Sequence, residues 1–387
     1  MAIADWLDER ADEMAELVEA LVRVPTENPP GRERARCADL LCAAQDRLGF
    51  APELLAGDAV VRGSAGDGDA LLYYHGHFDV VPAQSPSQFE PVRRDGRIVG
   101  RGTADMKGGL VSMLYGAAAA RELGLLDGRR IVLHLVCDEE TGSTAGSGHL
   151  RAAGLIDAGA VAMLTAEPTG GIIWHRARGA ITLRVAIAGR EAHVGYVHEG
   201  VNAFEHMIRI AEPLARLSHE LLERDSMLVV GGQAGAGAGF NVVPGTAWFS
   251  LDRRFNPDED LDEELALLTT TIDAAAAAVG AEVDVEVLQA QPASSTDHEH
   301  PVARTLAHCV AAVEGAPARF ELCPGVLDTR WYTQLGIPAF AYGGGRLDVS
   351  HGPDEYIDEA AMHRCAAVYA EFAASAPTAG RTARARA

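Results

Sequence analysis

The sequence predicts an α/β protein in which a domain with a mainly parallel central sheet is interrupted by a smaller α+β domain. Short apolar runs with little alternation, at 71–74, 131–137 and 160–164, read as parallel strands covered on both faces. From about residue 178 the texture changes to alternation, and after about 291 the earlier pattern resumes. At 387 residues the chain is long for a single core, so two domains are expected. The texture changes put the larger domain at 1–177 and 291–376, the inserted domain at 178–290 and a disordered tail at 377–387.

Taken in order, Met14, Leu17, Val18, Leu21 and Val22 recur at helical spacing until Pro25 stops the helix. TENPPGRER turns the chain into a second helix that ends by Gly49. Between the runs 71–74 and 131–137 lies MKGGLVSMLYGAAAARELG, a crossover helix, which makes a right-handed βαβ unit. Ligands of such sheets collect at the carboxyl ends of the strands.

In the inserted domain ITLRVAIAG alternates, and a helix runs over about 201–219. VVGGQAGAGAGFNVV and TAWFSLDRRF follow, then a helix carrying Leu261, Leu265, Leu268 and Ile272, then AEVDVEVLQ. This β-α-β-β-α-β order is that of a ferredoxin-like sandwich. GGQAGAGAG lacks the lysine and the strand-to-helix setting of a phosphate loop and reads as a glycine-rich connection.

The chain has 55 acidic and 33 basic residues, a formal charge of −22, which disfavours nucleic acid and anionic membranes as partners. The N-terminal stretch carries acids throughout and lacks the order of a signal peptide, so a cytoplasmic location is expected. Cysteines 37, 42, 137, 309, 323 and 365 show no CxxC spacing and read as core filler in a reducing compartment.

The chemistry-bearing residues cluster where strands end. In YYHGHFDVVP, His75, His77 and Asp79 sit at alternate positions and share a strand face. A buried histidine beside a carboxylate that orients its ring is the usual pairing at a metal site. Asp105 in GRGTADMKGG comes just before a helix, and CDEETGS places Glu139 and Glu140 directly after an apolar strand. Two adjacent glutamates with diverging side chains suit a ligand and a general base. Glu167 in TAEPT follows the strand 160–164, and His351 in SHGPDEY follows a glycine-rich loop. Imidazoles and carboxylates without cysteine form a nitrogen and oxygen site for zinc or a similar borderline ion. Spacing does not choose between His75 and His77, nor between Glu139 and Glu140.

With these motifs in view, the chain resembles the co-catalytic zinc amidohydrolase and metallopeptidase family of acetylornithine deacetylase, succinyl-diaminopimelate desuccinylase, aminoacylase and glutamate carboxypeptidase. VPTENPPG, GHFDVVP, DGRIVGRGTADMKGG, DEETGS, AEPT, GREAHVGYVHEGVNA, NVVP, LDRRF and SHGPDEY occur in the family's order over nearly the whole chain. The resemblance implies a zinc-peptidase-like catalytic domain and an inserted ferredoxin-like lid and dimerisation domain. It also implies two Zn²⁺, with Co²⁺ or Mn²⁺ as substitutes. His77 and Glu167 would hold one ion, Glu140 and His351 the other, and Asp105 would bridge them. Asp79 would orient His77, Glu139 would be the acid/base, and the Asp105–Met106 peptide would be cis.

By the same resemblance His193 would stabilise the oxyanion from a partner subunit, so a homodimer is expected. Arg178, Asn241 and Arg254 match positions that contact a carboxylate-bearing amide substrate, with Arg253 turned to the surface. The expected activity is cleavage of a small N-acyl amino acid by a zinc-activated hydroxide. A dipeptidase or carboxypeptidase on the same metals is one alternative, and a non-catalytic metal- or ligand-binding homologue another. CPGVLDTRW places Val326 and Leu327 where relatives carry small or hydroxyl side chains, and GGGRLDVS inserts Arg346 and Asp348 before His351.

Overall fold

The computed structural model describes residues 2–378; of the expected tail at 377–387, residues 379–387 lie outside the described residues. The chain forms two compact units. One comprises the residues up to Arg176, Ser295–Leu322 and the chain from Leu327 on; the other comprises Ala177–Ser294 with Cys323–Val326.

The first unit is built on a nine-stranded sheet. Seven of its strands follow one another in the order Glu53–Leu55, Val60–Ala65, Arg129–Val136, Ala70–His77, Ala162–Thr165, Ala339–Ala341 and Ile173–Ala177. The run from Arg129–Val136 to Ala339–Ala341 is parallel. Its flanks are antiparallel, so the sheet is mixed rather than mainly parallel. Chain length between strands explains the difference. Parallel neighbours need a crossover of about a dozen residues or more, and the helix Gly108–Glu122 lies in such a crossover. Residues 66–69, by contrast, only reverse the chain between Val60–Ala65 and Ala70–His77, and Gly66 turns there at φ +83°.

Every residue of Ala70–His77 is buried, which accounts for its unbroken apolar run. The crossover helix is buried from Gly108 to Ala120 and packs against the helix Glu359–Ser375. With apolar residues on all sides it shows little amphipathic signal, as expected of a helix enclosed by protein.

In the second unit an antiparallel sheet runs in the order Met227–Ala236, Thr246–Phe255, Gly179–Ala188, Glu282–Gln291. Helices Ala203–Leu222 and Leu261–Val279 supply Ile210, Leu214, Leu268 and Ile272 to the core over this sheet. Burying each such side chain stabilises the unit by about 1.5–3 kcal/mol. Both helices start on a side-chain cap: Asn202 accepts from the N–H groups of Phe204 and Glu205, and Asp260 from those of Asp262 and Glu263. The second stops at Gly280, whose φ of +65° ends the helix.

The glycine-rich stretch is not the expected connection. Residues up to Ala236 belong to the outer strand, whose register shifts between Val230 and Ala234. Glycine accommodates such a bulge, and Gly231 there has φ +74°.

Candidate metal centre

The parallel strands deliver their carboxyl ends to one side of the sheet, and the motifs follow from those ends. His77 closes the strand Ala70–His77, Glu139 and Glu140 follow Arg129–Val136, and Glu167 follows Ala162–Thr165. After Val136 the turn is set by Asp138, which has φ +66° and accepts the N–H groups of Ala145 and Gly146 at 2.6 and 2.9 Å. Asp105 lies in the kinked turn Thr103–Lys107, and its peptide bond to Met106 is cis.

These residues converge in two overlapping groups, His77 with Asp105 and Glu167, and Asp105 with Glu140 and His351. Within each group the candidate donor atoms lie within 4.8 Å of one another. His77 Nε2 is 3.1 Å from Asp105 Oδ1 and 4.0 Å from Glu167 Oε2. His351 Nε2 is 3.3 Å from Asp105 Oδ2 and 3.3 Å from Glu140 Oε1. Asp105 therefore turns one oxygen to each group.

Asp79 braces the cluster with both backbone and side chain. Its carbonyl oxygen is 3.0 Å from His77 Nδ1, and its carboxylate accepts the N–H groups of Glu139 and Glu140 at 3.3 Å each. Asn28 Nδ2 donates to the same carboxylate at 3.0 Å and to Thr141 Oγ1 at 2.8 Å. Asp79 thus fixes the ring of His77 through its carbonyl and the backbone that carries both glutamates through its carboxylate.

The electrostatics fit a cation site. Burial pushes the Glu139 carboxyl well above its usual range; His77 pulls it back, while Asp328, Glu167 and Glu140 push it further. Burial raises Glu167 to about 8, and it also raises Glu140. His351 rises to about 10 through its hydrogen bonds to Asp105 and Glu140. Burial opposes the charged form of His77, yet Asp105 and Asp79 hold it well above the usual imidazole range. Burial works against the Asp105 charge, but His351 and His77 outweigh it and hold that carboxyl below its usual range. Three glutamates and two imidazoles that cling to protons around an ionised Asp105 mark an excess of negative charge, which divalent cations relieve. The buried Glu140 Oε1 faces His351 Nε2 at 3.3 Å within the second group, the setting of a ligand atom. Two imidazole nitrogens and three carboxylates fit zinc, cobalt or manganese.

The remaining sequence-selected residues lie elsewhere. His75 is outside both groups and pairs with Asp328. In the second unit, His193 is exposed and accepts from the N–H of Gly195 at 3.1 Å. Asn241 is also exposed, and its carbonyl accepts the N–H of Val194 at 3.0 Å, so the two stand side by side. Arg178 is buried and donates to Asp225 and Asn256. Arg254 is partly exposed and pairs with Asp252 at 2.7 Å.

The expectation for Arg253 is corrected. It is fully buried and bonded to Glu259, Glu264 and Ser226. Phe249, Leu251 and Phe255 are buried on the same strand at alternate positions, and that parity is the signal that places Arg253 inside. Sequence reasoning also missed Arg101, Glu355 and Asp328, all buried beside the cluster's loops.

A nitrogen and oxygen cluster at the carboxyl ends of an α/β sheet is the kind of site a metal-dependent hydrolase carries. Residues 73–375 match the family described as peptidase family M20/M25/M40, and the chain belongs to it. A succinyl-diaminopimelate desuccinylase of Gluconacetobacter diazotrophicus is 29% identical over 385 residues, covering 92% of this chain and 95% of the relative. An acetylornithine deacetylase of Myxococcus xanthus is 29% identical over 328 residues, covering 81% and 82%. Among solved structures, the di-peptidase Dug1p of Saccharomyces cerevisiae superposes with a TM-score of 0.79 at 16% identity, over 97% of this chain and 98% of that one. A Bacillus subtilis protein described as a dinuclear metal-binding peptidase of the M20 family gives 0.72 at 16% identity, over 95% and 98%. The chain is a hydrolase of amide bonds.

Proposed function

We propose that the protein is a two-cation hydrolase that cleaves the amide of a small, carboxylate-bearing N-acyl amino acid. The observation that carries the reading is Asp105, whose two oxygens face His77 on one side and His351 on the other. His77 and Glu167 are assigned to one cation and Glu140 and His351 to the second, with Asp105 between them. The N-acyl class is supported by the relatives named as a desuccinylase and a deacetylase.

Two divalent cations in this site, zinc in the first place, supply Lewis acidity that polarises the scissile carbonyl and makes water acidic enough to attack at neutral pH. Glu139 is the assigned base: it takes a proton from the attacking water and returns it to the leaving amine. Its backbone N–H, held by Asp79, keeps the carboxylate beside the donors while burial keeps its proton affinity high. Asp79 keeps the His77 ring turned so that Nε2 faces Asp105.

The second unit has the strand order of a ferredoxin-like sandwich and is assigned as a lid and dimerisation domain. Val194, Tyr196, Val197, Phe204 and Ile208 are exposed apolar residues on it, which supports a face covered by a second copy. His193 is assigned to donate to the oxyanion from that copy, and Arg178, Asn241 and Arg254 to the substrate carboxylate. No helix among the described residues is long and apolar enough to cross a membrane, which is compatible with a cytoplasmic enzyme.

The test is hydrolysis by zinc- or cobalt-loaded protein of N-acetylornithine, N-succinyl-diaminopimelate and a set of dipeptides, followed by release of free amine. Turnover of an N-acyl amino acid is expected. Turnover of dipeptides alone would move the assignment to a peptidase, and two bound ions with no cleavage would leave a non-catalytic binding protein.

A further inference from the structure

The two groups of donors are supported unequally. His77 and Glu167 sit at or just past the ends of buried strands, where the sheet register fixes them: Ala70–His77 lies between Arg129–Val136 and Ala162–Thr165. His351 sits in a loop, half exposed, at φ +63°, a backbone region that disfavours a residue with a Cβ. Something else must hold it.

We propose that the buried Arg101–Glu355 ion pair is a positioning device for the cation between Asp105, Glu140 and His351, and sets the affinity of that cation far more than of its neighbour. The inference rests on the two-cation reading above.

Both side chains are 1% exposed, and Arg101 Nη1 donates to Glu355 Oε2 at 2.5 Å. Two further bonds from the guanidinium reach the His351 loop: Nη2 donates to the His351 carbonyl at 3.2 Å and Nη1 to the Gly352 carbonyl at 3.3 Å. The other carboxylate oxygen, Glu355 Oε1, accepts the N–H groups of Ala104 and Asp105 at 3.0 and 3.1 Å. One ion pair therefore ties the backbone of the Asp105 turn to the backbone of the His351 loop. Gln88 Nε2 adds bonds to the Gly352 and Pro353 carbonyls at 3.0 and 3.1 Å, and Gln84 Nε2 one to the His351 carbonyl at 3.5 Å.

The geometry of arginine matters here. A planar fork spans a carboxylate and two carbonyls at once, whereas a lysine ammonium in its place keeps the charge and loses the span. Arg101→Lys should therefore fold and release the His351 loop without disturbing the strands that carry His77 and Glu167.

The experiment is titration of metal-free protein with Zn²⁺ by calorimetry and with Co²⁺ by visible absorption, for the parent, Arg101→Lys and Glu355→Gln. Far-UV circular dichroism and thermal midpoints report folding. The parent should bind two ions. Arg101→Lys should bind one ion within about threefold of the parent affinity and the other about 10–100-fold more weakly, the range seen when a residue behind a metal ligand is changed. If that variant does not fold, Glu355→Gln is read in its place, because its amide oxygen still accepts the Ala104 and Asp105 N–H groups. Two ions weakened equally, or neither weakened, in a folded variant of a two-ion parent overturns this inference alone. A parent that binds fewer than two ions sinks the two-cation reading and this inference with it.

Discussion

His75 Nε2 lies 3.0 Å from Asp328 Oδ2, with both side chains buried from solvent. The Asp328 carboxylate also accepts the hydroxyls of Ser143 and Ser147 and the indole N–H of Trp331, and Arg330 lies 3.1 Å away. Ser143 follows the turn that carries Glu139 and Glu140, so this buried carboxylate pins that turn to the strand ending at His77. Asp328→Asn leaves its donors without a charge to share and should cost about 3–5 kcal/mol, measured by denaturant unfolding.

The same residue gives an acid limb of known sign. Burial works against the Asp328 charge, but Arg330, His75 and Ser143 outweigh it and hold the carboxyl below its usual range. A carboxyl depressed in the folded state binds fewer protons there than in the unfolded chain, so its stabilisation is present above the unfolded value of about 4. It is lost as pH falls below that value. The gap in unfolding free energy between parent and Asp328→Asn should therefore be constant near neutrality and narrow below about pH 4.

Glu139 belongs to neither donor group, and the proposed function assigns it as the base. Glu139→Gln should lower kcat by about 10²–10⁴-fold, the contribution of a positioned base, while leaving two-ion binding within error. Calorimetric metal titration beside steady-state kinetics checks both halves. A matching loss of metal affinity would show that Glu139 is a ligand rather than the base.

Two glycines before His351, Gly343 and Gly345, pack against the backbone that carries other donors. A Cβ on Gly343 would lie 2.2 Å from the Glu167 carbonyl oxygen, and one on Gly345 would lie 2.3 Å from that of Ala104. Neither neighbour is a flexible side-chain end, so the backbone itself must move. Gly343→Ala should cost about 1–3 kcal/mol, as overpacking does, and weaken the cation beside Glu167. Thermal unfolding and metal titration of the variant test this.

What the sequence made legible follows from where the physics is local. The apolar run around Tyr73 and Tyr74 announces a doubly covered strand, and the motifs after successive strands meet because parallel strands end on the same side of their sheet. His75 and His77 could not be separated that way: both lie on one strand and share its parity, and only the arrival of Asp328 from a distant segment takes His75 out of the cluster. Arg101 and Glu355 were equally hidden, each inside a recognisable motif but paired only in three dimensions. Arg253 was open to a stricter reading, since it keeps step with Phe249, Leu251 and Phe255, and a charged residue in that phase calls for buried acids such as Glu259 and Glu264.

Gln45 breaks the rule that buried polar groups are paired. It lies on the helix Arg34–Arg47 with 0% exposure, and neither its amide nitrogen nor its amide oxygen has a hydrogen-bond partner among the described residues. Its oxygen fills the space over Gly63, where a Cβ would come within 1.9 Å. Leaving a buried amide unsatisfied costs about 1–3 kcal/mol, whereas an unbranched apolar chain of similar length keeps the packing and removes the penalty. Gln45→Met should therefore raise stability by about 1 kcal/mol or more, with activity unchanged because the residue lies outside both donor groups. Chemical denaturation checks the sign. A loss of stability would mean that the amide is satisfied by a buried water, and Gln45→Glu would then cost less than a buried, unsolvated carboxylate should.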